Sequence, residues 1–398
     1  MSLDSPVLPA SGLSKLPPLS LYIHIPWCAR KCPYCDFNSH PQKGTLDEAA
    51  YVDALLRDLR MEQISVSERP VQSVFIGGGT PSLFSAESIR RLLGGVTEHV
   101  SLVDDVEITL EANPGAMESE RLPGYRDAGT NRLSLGVQSL NPESLRGLGR
   151  IHGPGEVFIA VDRAKRSGFE QINLDLMFGL PSQSAEMAQA DLAAAIGLDP
   201  GHLSYYQLTL EPNTPFFQSP PELPDEDRLW QMQQQGHEVL MKAGFEQYEV
   251  SAFSRPGERC RHNLNYWRFG DYIGIGAGAH SKITTRDGVI RRHWKRRHPN
   301  DYLAAAAGTL PFLQGERVLR PEDLAVEFMM NALRLSDGVE EELFAATTGL
   351  SLDFMRESLG TAIKKGLLYP VKGRLCPTPL GFRFLNDLIP IFEVNGTT

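Results

Sequence analysis

Short apolar runs alternate with longer segments of helical periodicity through the first half of the chain. The runs predict six β-strands, at residues 19–25, 73–77, 106–112, 132–138, 171–178 and 202–210. The segments between them carry apolar residues at the spacing of amphipathic helices, for example at 47–64, 86–96 and 186–196. Alternating strands and helices require a parallel sheet covered by helices, because parallel strands need long crossover connections. We therefore predict an α/β fold closed as a partial barrel of six βα units; an open, doubly wound sheet would produce the same pattern.

The pattern changes after residue 210. A Pro-rich stretch at 211–227 predicts a connection, which is followed by a helix at 225–243 and a strand at 247–252. Helices and a short hairpin at 341–380 have the order of a winged-helix unit. Residues 316–398 carry twelve acidic against nine basic residues, which favours a packing role over DNA binding. The predicted domains are a disordered leader, the barrel, an α+β extension and a helical, winged-helix-like C-terminal domain, at residues 1–18, 19–215, 216–300 and 301–398.

The composition excludes several classes of protein. The chain has 398 residues and a formal net charge of −10, whereas general binding to nucleic acids or anionic membranes needs excess Lys and Arg. No apolar run approaches the ~20 residues of a membrane-spanning helix, and the first residues lack the pattern of a signal or transit peptide. Five cysteines in such a chain do not indicate a disulfide framework. We therefore predict a cytoplasmic protein with no integral membrane segment and no nucleic-acid partner.

Three cysteines lie close together directly after the first predicted strand. Cys28, Cys32 and Cys35 have the spacing C-x-x-x-C-x-x-C, in the position where α/β proteins carry their chemistry. A cubane 4Fe-4S cluster normally takes four Cys ligands, so three would leave one iron open to a substrate or cofactor. A zinc site is the alternative, with His24 and His40 as the nearby candidates for a fourth ligand.

Polar side chains interrupt or follow several of the later strands, at Glu111, Gln138, Arg150 and Asp175. Burying such groups unpaired costs ~1–3 kcal/mol each, so they must face a solvated lumen, a ligand or a partner side chain. The run Gly77-Gly78-Gly79-Thr80-Pro81 follows the second strand and permits either close approach of a ligand or a tight turn. It lacks the Gly-Lys-Ser/Thr ending of a phosphate-binding loop, which argues against nucleotide hydrolysis.

The cysteine spacing, with Tyr34 in the aromatic position before the last Cys, resembles the signature of the radical S-adenosylmethionine (SAM) superfamily. In that superfamily the open iron binds the amino and carboxylate groups of SAM. One-electron reduction of the cluster cleaves SAM to a 5′-deoxyadenosyl radical, which abstracts a hydrogen atom. The resemblance therefore implies a 4Fe-4S cluster on Cys28, Cys32 and Cys35, SAM as a cofactor, and an electron donor if SAM is cleaved.

Four longer segments narrow the resemblance to one branch of that superfamily, at residues 22–28, 77–81, 135–139 and 175–181. Together they are similar to the oxygen-independent coproporphyrinogen III oxidases and to their relatives, the HemW-type heme chaperones. The resemblance implies that Tyr34 lies near the adenine of SAM. It also implies SAM contacts from Tyr22, Gly78, Gly79, Thr80, Glu111, Gln138, Arg150 and Asp175.

Two features separate these relatives. The oxidases usually carry another Cys two residues after the third, where this chain has Phe37. The segment His262-Asn263-Leu264-Asn265-Tyr266-Trp267 resembles the H-N-x-x-Y-W motif associated with heme binding in HemW-type proteins, which implies His262 as an iron ligand. The basic run at 291–298 would then pair with heme propionates or an acidic partner, or form a solvated loop.

Both features favour a carrier that binds heme and delivers it to an acceptor protein, whose identity the sequence does not indicate. The enzymatic alternative is a radical SAM oxidase that decarboxylates porphyrinogen propionates to vinyl groups.

Overall fold

The structure is a computed structural model that describes residues 15–66 and 69–393, so residues 1–14 of the predicted leader lie outside the described residues. The strands, in chain order, are β1 (Leu19–Ile25), β2 (Trp27–Cys28), β3 (His40–Pro41), β4 (Val71–Gly78), β5 (Leu102–Ala112), β6 (Arg132–Gln138), β7 (Gln171–Phe178), β8 (His202–Gln207), β9 (Glu246–Glu249), β10 (Ala252–Ser254), β11 (Asp271–Ile275), β12 (His280–Thr284), β13 (Ile290–Lys295), β14 (Leu313–Val318), β15 (Val339–Glu340) and β16 (Arg374–Leu375).

The helices connect these strands and build the C-terminal region. They are α1 (Glu48–Val66), α2 (Ala86–His99), α3 (Ala116–Asp127), α4 (Pro142–Gly147), α5 (Pro154–Arg166), α6 (Ala185–Gly197), α7 (Pro215–Gln218), α8 (Glu226–Lys242), α9 (Arg261–Trp267), α10 (Pro299–Ala306), α11 (Pro321–Ala332), α12 (Glu342–Thr348), α13 (Arg356–Lys364), α14 (Pro379–Arg383) and α15 (Leu385–Leu388), with 3-10 helices at Pro81–Leu83, Leu352–Met355 and Ile389–Phe392. Within the described ranges, no helix is long and apolar enough to cross a membrane.

A 12-stranded sheet organises the fold, in the order β14-β13-β12-β11-β1-β4-β5-β6-β7-β8-β10-β9. The strands β1 and β4 to β8 pair in parallel, each with the next along the chain. They correspond to the six predicted strands, and β1, β6 and β7 have the predicted bounds. Other strands separate β1 from β8 in the sheet order, as expected for a partial rather than a closed barrel. The predicted α/β partial barrel is confirmed.

The strands β9 to β14 extend this sheet, whereas β15 and β16 pair with each other in a separate two-stranded sheet. On one side, β10 pairs antiparallel with β8. On the other side, β11 pairs in parallel with β1, and β12, β13 and β14 follow as antiparallel neighbours. The segment predicted as a separate α+β extension therefore continues both edges of the barrel.

The described residues form two large hydrophobic cores and a small third cluster around Leu148, Met177, Leu180 and Leu208. The larger core lies between the barrel strands and their covering helices, and it includes Tyr302 of α10 and Phe312. The second core is built mainly from residues after Leu319, with Phe328 and Phe344 packed edge to face near its centre. The change of core lies near Leu319, because α10 and β14 still pack with the barrel, whereas the sequence places the last boundary at residue 301.

Candidate functional site

The cysteine loop is held by backbone pairing just beyond β1. The strands β2 and β3 pair in parallel, and Gln42 N donates to Cys28 O over 2.8 Å. Cys35 N donates to Cys32 O over 3.2 Å, which closes a turn between these two cysteines. The loop therefore places all three cysteines in the wall of one cavity of about 660 Å³, here called the cofactor cavity. This cavity opens at the carboxyl ends of the parallel strands, where βα folds build their sites.

Most of the predicted site residues line the cofactor cavity. They are Cys28, Cys32, Cys35, Tyr34, Gly78, Gly79, Thr80, Glu111, Gln138, Arg150 and Asp175. Tyr22 and His262 do not line it: Tyr22 faces a neighbouring cavity, and His262 is buried against β4. The structure thus brings together the predicted cluster ligands and all but one of the predicted SAM contacts.

Arg150 is a largely buried cation beside the cysteines. Its Nη2 donates to Asn113 Oδ1 and to Gly136 O, both over 2.6 Å, and its Nη1 donates to Cys32 Sγ over 3.7 Å. Its Nε is buried without a hydrogen-bond partner, and no described carboxylate forms an ion pair with this guanidinium. Asp175, whose carboxyl group interacts electrostatically with Arg150, is itself buried with a raised pKa, so a bound anion would further stabilise this desolvated cation. The thiolates of a cluster or the carboxylate of SAM would supply that negative charge.

Gln138 holds a second unsatisfied group in the cavity. Its backbone has a φ of 65°, a left-handed conformation that is uncommon for residues other than glycine. This conformation ends β6, and the Gln138 Nε2 donates to the Tyr206 hydroxyl over 3.2 Å. Its Oε1 is buried without a described partner. A ligand that carries hydrogen-bond donors, such as a ribose or an ammonium group, would satisfy this oxygen.

Two carboxyl groups face the cavity with raised pKa values. Burial, and next the charge of Asp175, raise the pKa of Glu111 to about 8, although Gly78 N donates to its Oε2 over 3.0 Å. Burial likewise raises the pKa of Asp175, against hydrogen bonds from Ser134 and Asn173. Neighbouring carboxyl groups with raised pKa values are typical of sites that receive a cation. The ammonium and sulfonium groups of SAM meet that requirement.

The glycine run leaves space for neighbouring segments of the same chain. A Cβ on Gly78, which has a φ of 115°, would lie 2.5 Å from the His24 ring, and a Cβ on Gly79 would lie 2.5 Å from Trp27 O. Both glycines therefore allow the end of β4 to lie against the chain that leads into the cysteine loop. The sequence permits either close approach of a ligand or a tight turn at this run; in the structure the tightest contacts of these glycines are with His24 and Trp27.

The thiols fit an iron–sulfur cluster better than a single metal ion. In the described parts of the chain, no three His, Cys, Asp or Glu side chains are close enough to hold one ion. Burial raises the pKa of the Cys28 and Cys35 thiols, so metal binding would have to remove their protons. Three thiols spread over one cavity wall, with Arg150 beside Cys32, match a larger anionic group with an open coordination position. His24 and His40, the candidates for a zinc ligand, do not line this cavity.

A second cavity of about 680 Å³ adjoins the first, and Phe37, Gly78 and Glu111 line both. Its walls combine aromatic side chains, among them Tyr22, Tyr266, Tyr272 and Trp294, with polar and charged ones. Tyr22 and His24 project from the same face of β1, as the two-residue period of a strand requires, and this face is turned toward the second cavity. Tyr22 is therefore placed one cavity away from its predicted position.

Three of the seven basic residues in the run at 291–298 lie against acidic side chains of the fold. Arg292 forms an ion pair with Glu327 over 2.7 Å, and His293 and Lys295 lie against Glu62. Among the basic residues of this run, Lys295 and Arg297 line the second cavity, together with Trp294. The run is thus largely a paired strand, β13, instead of the solvated loop or continuous anion-binding surface that the sequence suggests.

His262 is held inside the fold by hydrogen bonds at both ring nitrogens. Its Nδ1 lies 2.9 Å from Ser73 Oγ, and its Nε2 lies 3.2 Å from the Tyr266 hydroxyl. The ring is stacked on Phe75, and burial lowers its pKa to about 3. In this conformation the imidazole offers no open nitrogen to a heme iron. The imidazole is buried because α9 packs against β4. The Glu107 carboxylate also accepts a hydrogen bond from the His262 backbone N–H at the start of this helix.

Two cavity residues were missed by the sequence analysis. Asn113 holds Arg150 and donates to Thr80 Oγ1 over 3.3 Å. Its position directly after β5 was a usable signal, because amide groups at the carboxyl end of a parallel strand face the site. Tyr206 had no such signal: Tyr205 and Tyr206 are adjacent on β8 and point to opposite faces, and composition does not tell which one faces the cavity.

Comparisons with known proteins agree with this architecture. Residues 22–194 match the family model described as the radical SAM superfamily, and residues 319–384 match the HemN C-terminal domain. The chain also resembles the solved structure of coproporphyrinogen III oxidase (HemN) from Escherichia coli, described as a radical SAM enzyme. That match has a TM-score of 0.81 at 24% identity and covers 95% of this chain and 91% of the other. At this identity the likeness shows the fold alone.

Relatives of higher identity match over nearly the whole length. The chain is 50% identical over 378 residues to the heme chaperone HemW of Escherichia coli (strain K12), covering 95% of this chain and 99% of that protein. It is 49% identical over 384 residues to the heme chaperone HemW of Haemophilus influenzae, covering 96% and 99%. With this identity, this coverage and the cysteine-lined cavity at the mouth of its barrel, the chain belongs to the HemW family of the radical SAM superfamily.

Proposed function

We propose that this protein binds heme and delivers it to an acceptor protein, with a 4Fe-4S cluster and SAM as its own cofactors. The name of its relatives, heme chaperone, supports this function. The observation that carries it is the second cavity, whose volume lies in the usual range for small-molecule sites and whose walls include several aromatic side chains. Flat apolar faces suit a porphyrin ring. Because Phe37, Gly78 and Glu111 line both cavities, a heme bound there would lie directly beside the cofactor site.

The residues of the cofactor cavity have distinct roles in this proposal. Cys28, Cys32 and Cys35 would hold the cluster, whose open iron supplies a binding position for SAM and one-electron chemistry. Arg150 would balance the negative charge, since its guanidinium already contacts Cys32 Sγ. Glu111 would hold cationic groups of SAM, because its carboxyl group faces the cavity. Gln138, Asp175, Tyr34, Gly78, Gly79 and Thr80 complete the SAM contacts that membership of the superfamily implies.

The proposed partners follow from this chemistry. Heme is the cargo, and an acceptor protein must take it up. An electron donor is required if SAM is cleaved. Cysteines that carry such a cluster need a reducing compartment, so we place the protein in the cytoplasm.

The enzymatic alternative is oxidative decarboxylation of a porphyrinogen. Phe37 argues against it, because it stands where the oxidases usually carry another Cys. The Phe37 side chain is 59% exposed and lies at the boundary of the two cavities. A bulky apolar ring there suits contact with a bound flat ligand and offers no thiol chemistry.

One anaerobic experiment separates the two functions. The full-length chain is reconstituted with iron and sulfide and supplied with SAM, and heme binding and coproporphyrinogen III decarboxylation are then measured on the same preparation. We expect stoichiometric heme binding, transfer of the heme to apomyoglobin as a general acceptor, and no conversion of the porphyrinogen. Turnover of coproporphyrinogen III, or failure to bind heme, would overturn the proposal.

A further inference from the structure

Two histidines line the second cavity, and their ring nitrogens differ in availability. His24 is engaged on both sides, with Nδ1 2.9 Å from the Tyr22 hydroxyl and Nε2 2.9 Å from Asn38 O. His280 is exposed to the cavity, and neither of its ring nitrogens hydrogen-bonds to a residue of the described chain. Heme iron takes an imidazole nitrogen as an axial ligand, which requires a nitrogen with an open lone pair. Of the two cavity histidines, His280 meets this requirement.

The fold also holds His280 against a flat aromatic surface. His280 is the first residue of β12 and is paired directly with Trp294 on β13. The two rings are stacked, with centroids 6.2 Å apart and an interplanar angle of 24°. On the next strand, a Cβ on Gly315 would lie 2.3 Å from Trp294 Cζ2, so this glycine leaves room for the indole to lie over the sheet. A ligand carried by a paired strand is positioned more firmly than one carried by a loop.

The rim of the same cavity carries an unpaired cation. Arg297 is exposed and lines the cavity, and its Nε donates to Asn38 Oδ1 over 3.3 Å. No ion pair joins Arg297 to an acidic residue in the part of the chain that the structure describes. A free guanidinium at the edge of an aromatic cavity is suited to a carboxylate of the ligand, because it can bind both oxygens at once.

We propose that His280 ligates the heme iron in the second cavity, with the porphyrin against Trp294 and Tyr266 and a propionate on Arg297. This assignment rests on the proposed heme-binding function and names its site. In this assignment the ligand of the heme iron lies outside the motif that begins at His262. Of that motif, Tyr266 reaches the cavity, and its hydroxyl lies 3.2 Å from His262 Nε2. His262 is therefore a positioning residue that acts through Tyr266.

The test compares full-length variants of the three histidines. Ferric heme is titrated into the wild type, His280→Ala, His262→Ala and His99→Ala, and binding is followed by absorption and electron paramagnetic resonance. His99 lies at the end of α2 and lines none of the described cavities, which makes it the matched control. Circular dichroism and cluster content establish that each variant is folded.

We expect His280→Ala to lose the signature of nitrogen ligation and to bind heme at least about tenfold more weakly, which corresponds to ~1.4 kcal/mol. Added imidazole should restore the signature in that variant by entering the space of the lost side chain. His262→Ala should keep the signature while its affinity falls, and His99→Ala should match the wild type. Nitrogen ligation retained in His280→Ala, or lost from a folded His262→Ala, would overturn the assignment. A wild type that binds no heme would instead refute the proposed function.

Discussion

Arg150 donates a hydrogen bond to the sulfur of Cys32 over 3.7 Å, although the two residues are 118 positions apart in the chain. The contact joins the segment after β6 to the loop after β1. The charge of an iron–sulfur cluster and the hydrogen bonds to its sulfur ligands set its reduction potential. Arg150 supplies both a positive charge and a hydrogen bond, so it should favour the reduced cluster.

Replacing Arg150 by Met is expected to shift the reduction potential of the reconstituted cluster to a more negative value. The variant should also unfold more easily, because the Asn113 and Gly136 oxygens each lose a donor, at a cost of about 1–3 kcal/mol per buried group. The measurement is a redox titration followed by electron paramagnetic resonance. Arg146→Met is the control, since Arg146 is 70% exposed. An unchanged potential in Arg150→Met would contradict this role.

Replacing Glu111 by Gln is expected to stabilise the cofactor-free protein, and by more as the pH rises. The folded protein holds the Glu111 proton up to a pKa of about 8, whereas the ordinary value is 4.5. Between these values the folded state binds more protons than the unfolded state, so wild-type stability falls with rising pH. The advantage of the variant should therefore grow from pH 5 to pH 8 and then level off.

Thermal unfolding of both proteins across this pH range measures the effect. Glu143→Gln serves as the control, because Glu143 is exposed at the start of α4. A difference between wild type and Glu111→Gln that does not change with pH would show that Glu111 is ionised in the folded protein.

Replacing Cys28, Cys32 or Cys35 by Ala should each abolish the iron–sulfur absorbance of the reconstituted protein. The reason is that a cluster with one open iron already uses every thiol of the loop. Cys260→Ala and Cys376→Ala should retain full iron and sulfide, since neither residue lines the cofactor cavity. Iron and sulfide analysis is the measurement, and a cluster that persists in all three loop variants would disprove the ligand assignment.

Replacing Gly79 by Ala should lower the cluster content and destabilise the fold by about 1–3 kcal/mol, as overpacking does. The added Cβ would lie 2.5 Å from a backbone oxygen of Trp27, next to Cys28, and that backbone cannot move without disturbing the loop. Denaturant unfolding and iron analysis measure the two effects. In the control, Gly94→Ala, nothing lies within 4 Å of the new Cβ, and the exchange within α2 should stabilise the protein by up to ~1 kcal/mol. Equal behaviour of the two variants would contradict the packing explanation.

The barrel and its cysteine site could be predicted because their signals are local. A buried parallel strand must be apolar along its length, so β1, β6 and β7 could be located to the residue. The thiols and the polar strand ends were recognisable for a related reason. In a parallel sheet the carboxyl ends of all strands meet at one edge, so residues distant in sequence converge there.

The second cavity could not be predicted, because it depends on pairing between distant and less apolar segments. The parallel pairing of β11 with β1 brings Tyr266, His280 and Trp294 beside the barrel mouth. Nothing in a short strand specifies which edge it will join. The orientation of His262 could not be predicted either. The motif specifies residue types, but it does not indicate which face of the seven-residue helix α9 is buried.

Phe37, Gly78 and Glu111 form a wall shared by the two cavities, so ligands bound on its two sides would be expected to influence each other's binding. A ligand in one cavity that moves these residues, or that changes the ionisation of Glu111, changes the free energy of binding in the other cavity. The effect must be reciprocal: the factor by which SAM changes the affinity for heme equals the factor by which heme changes the affinity for SAM. In the proposed function, these three residues would provide a physical route by which occupancy of the cofactor site changes the affinity for the cargo.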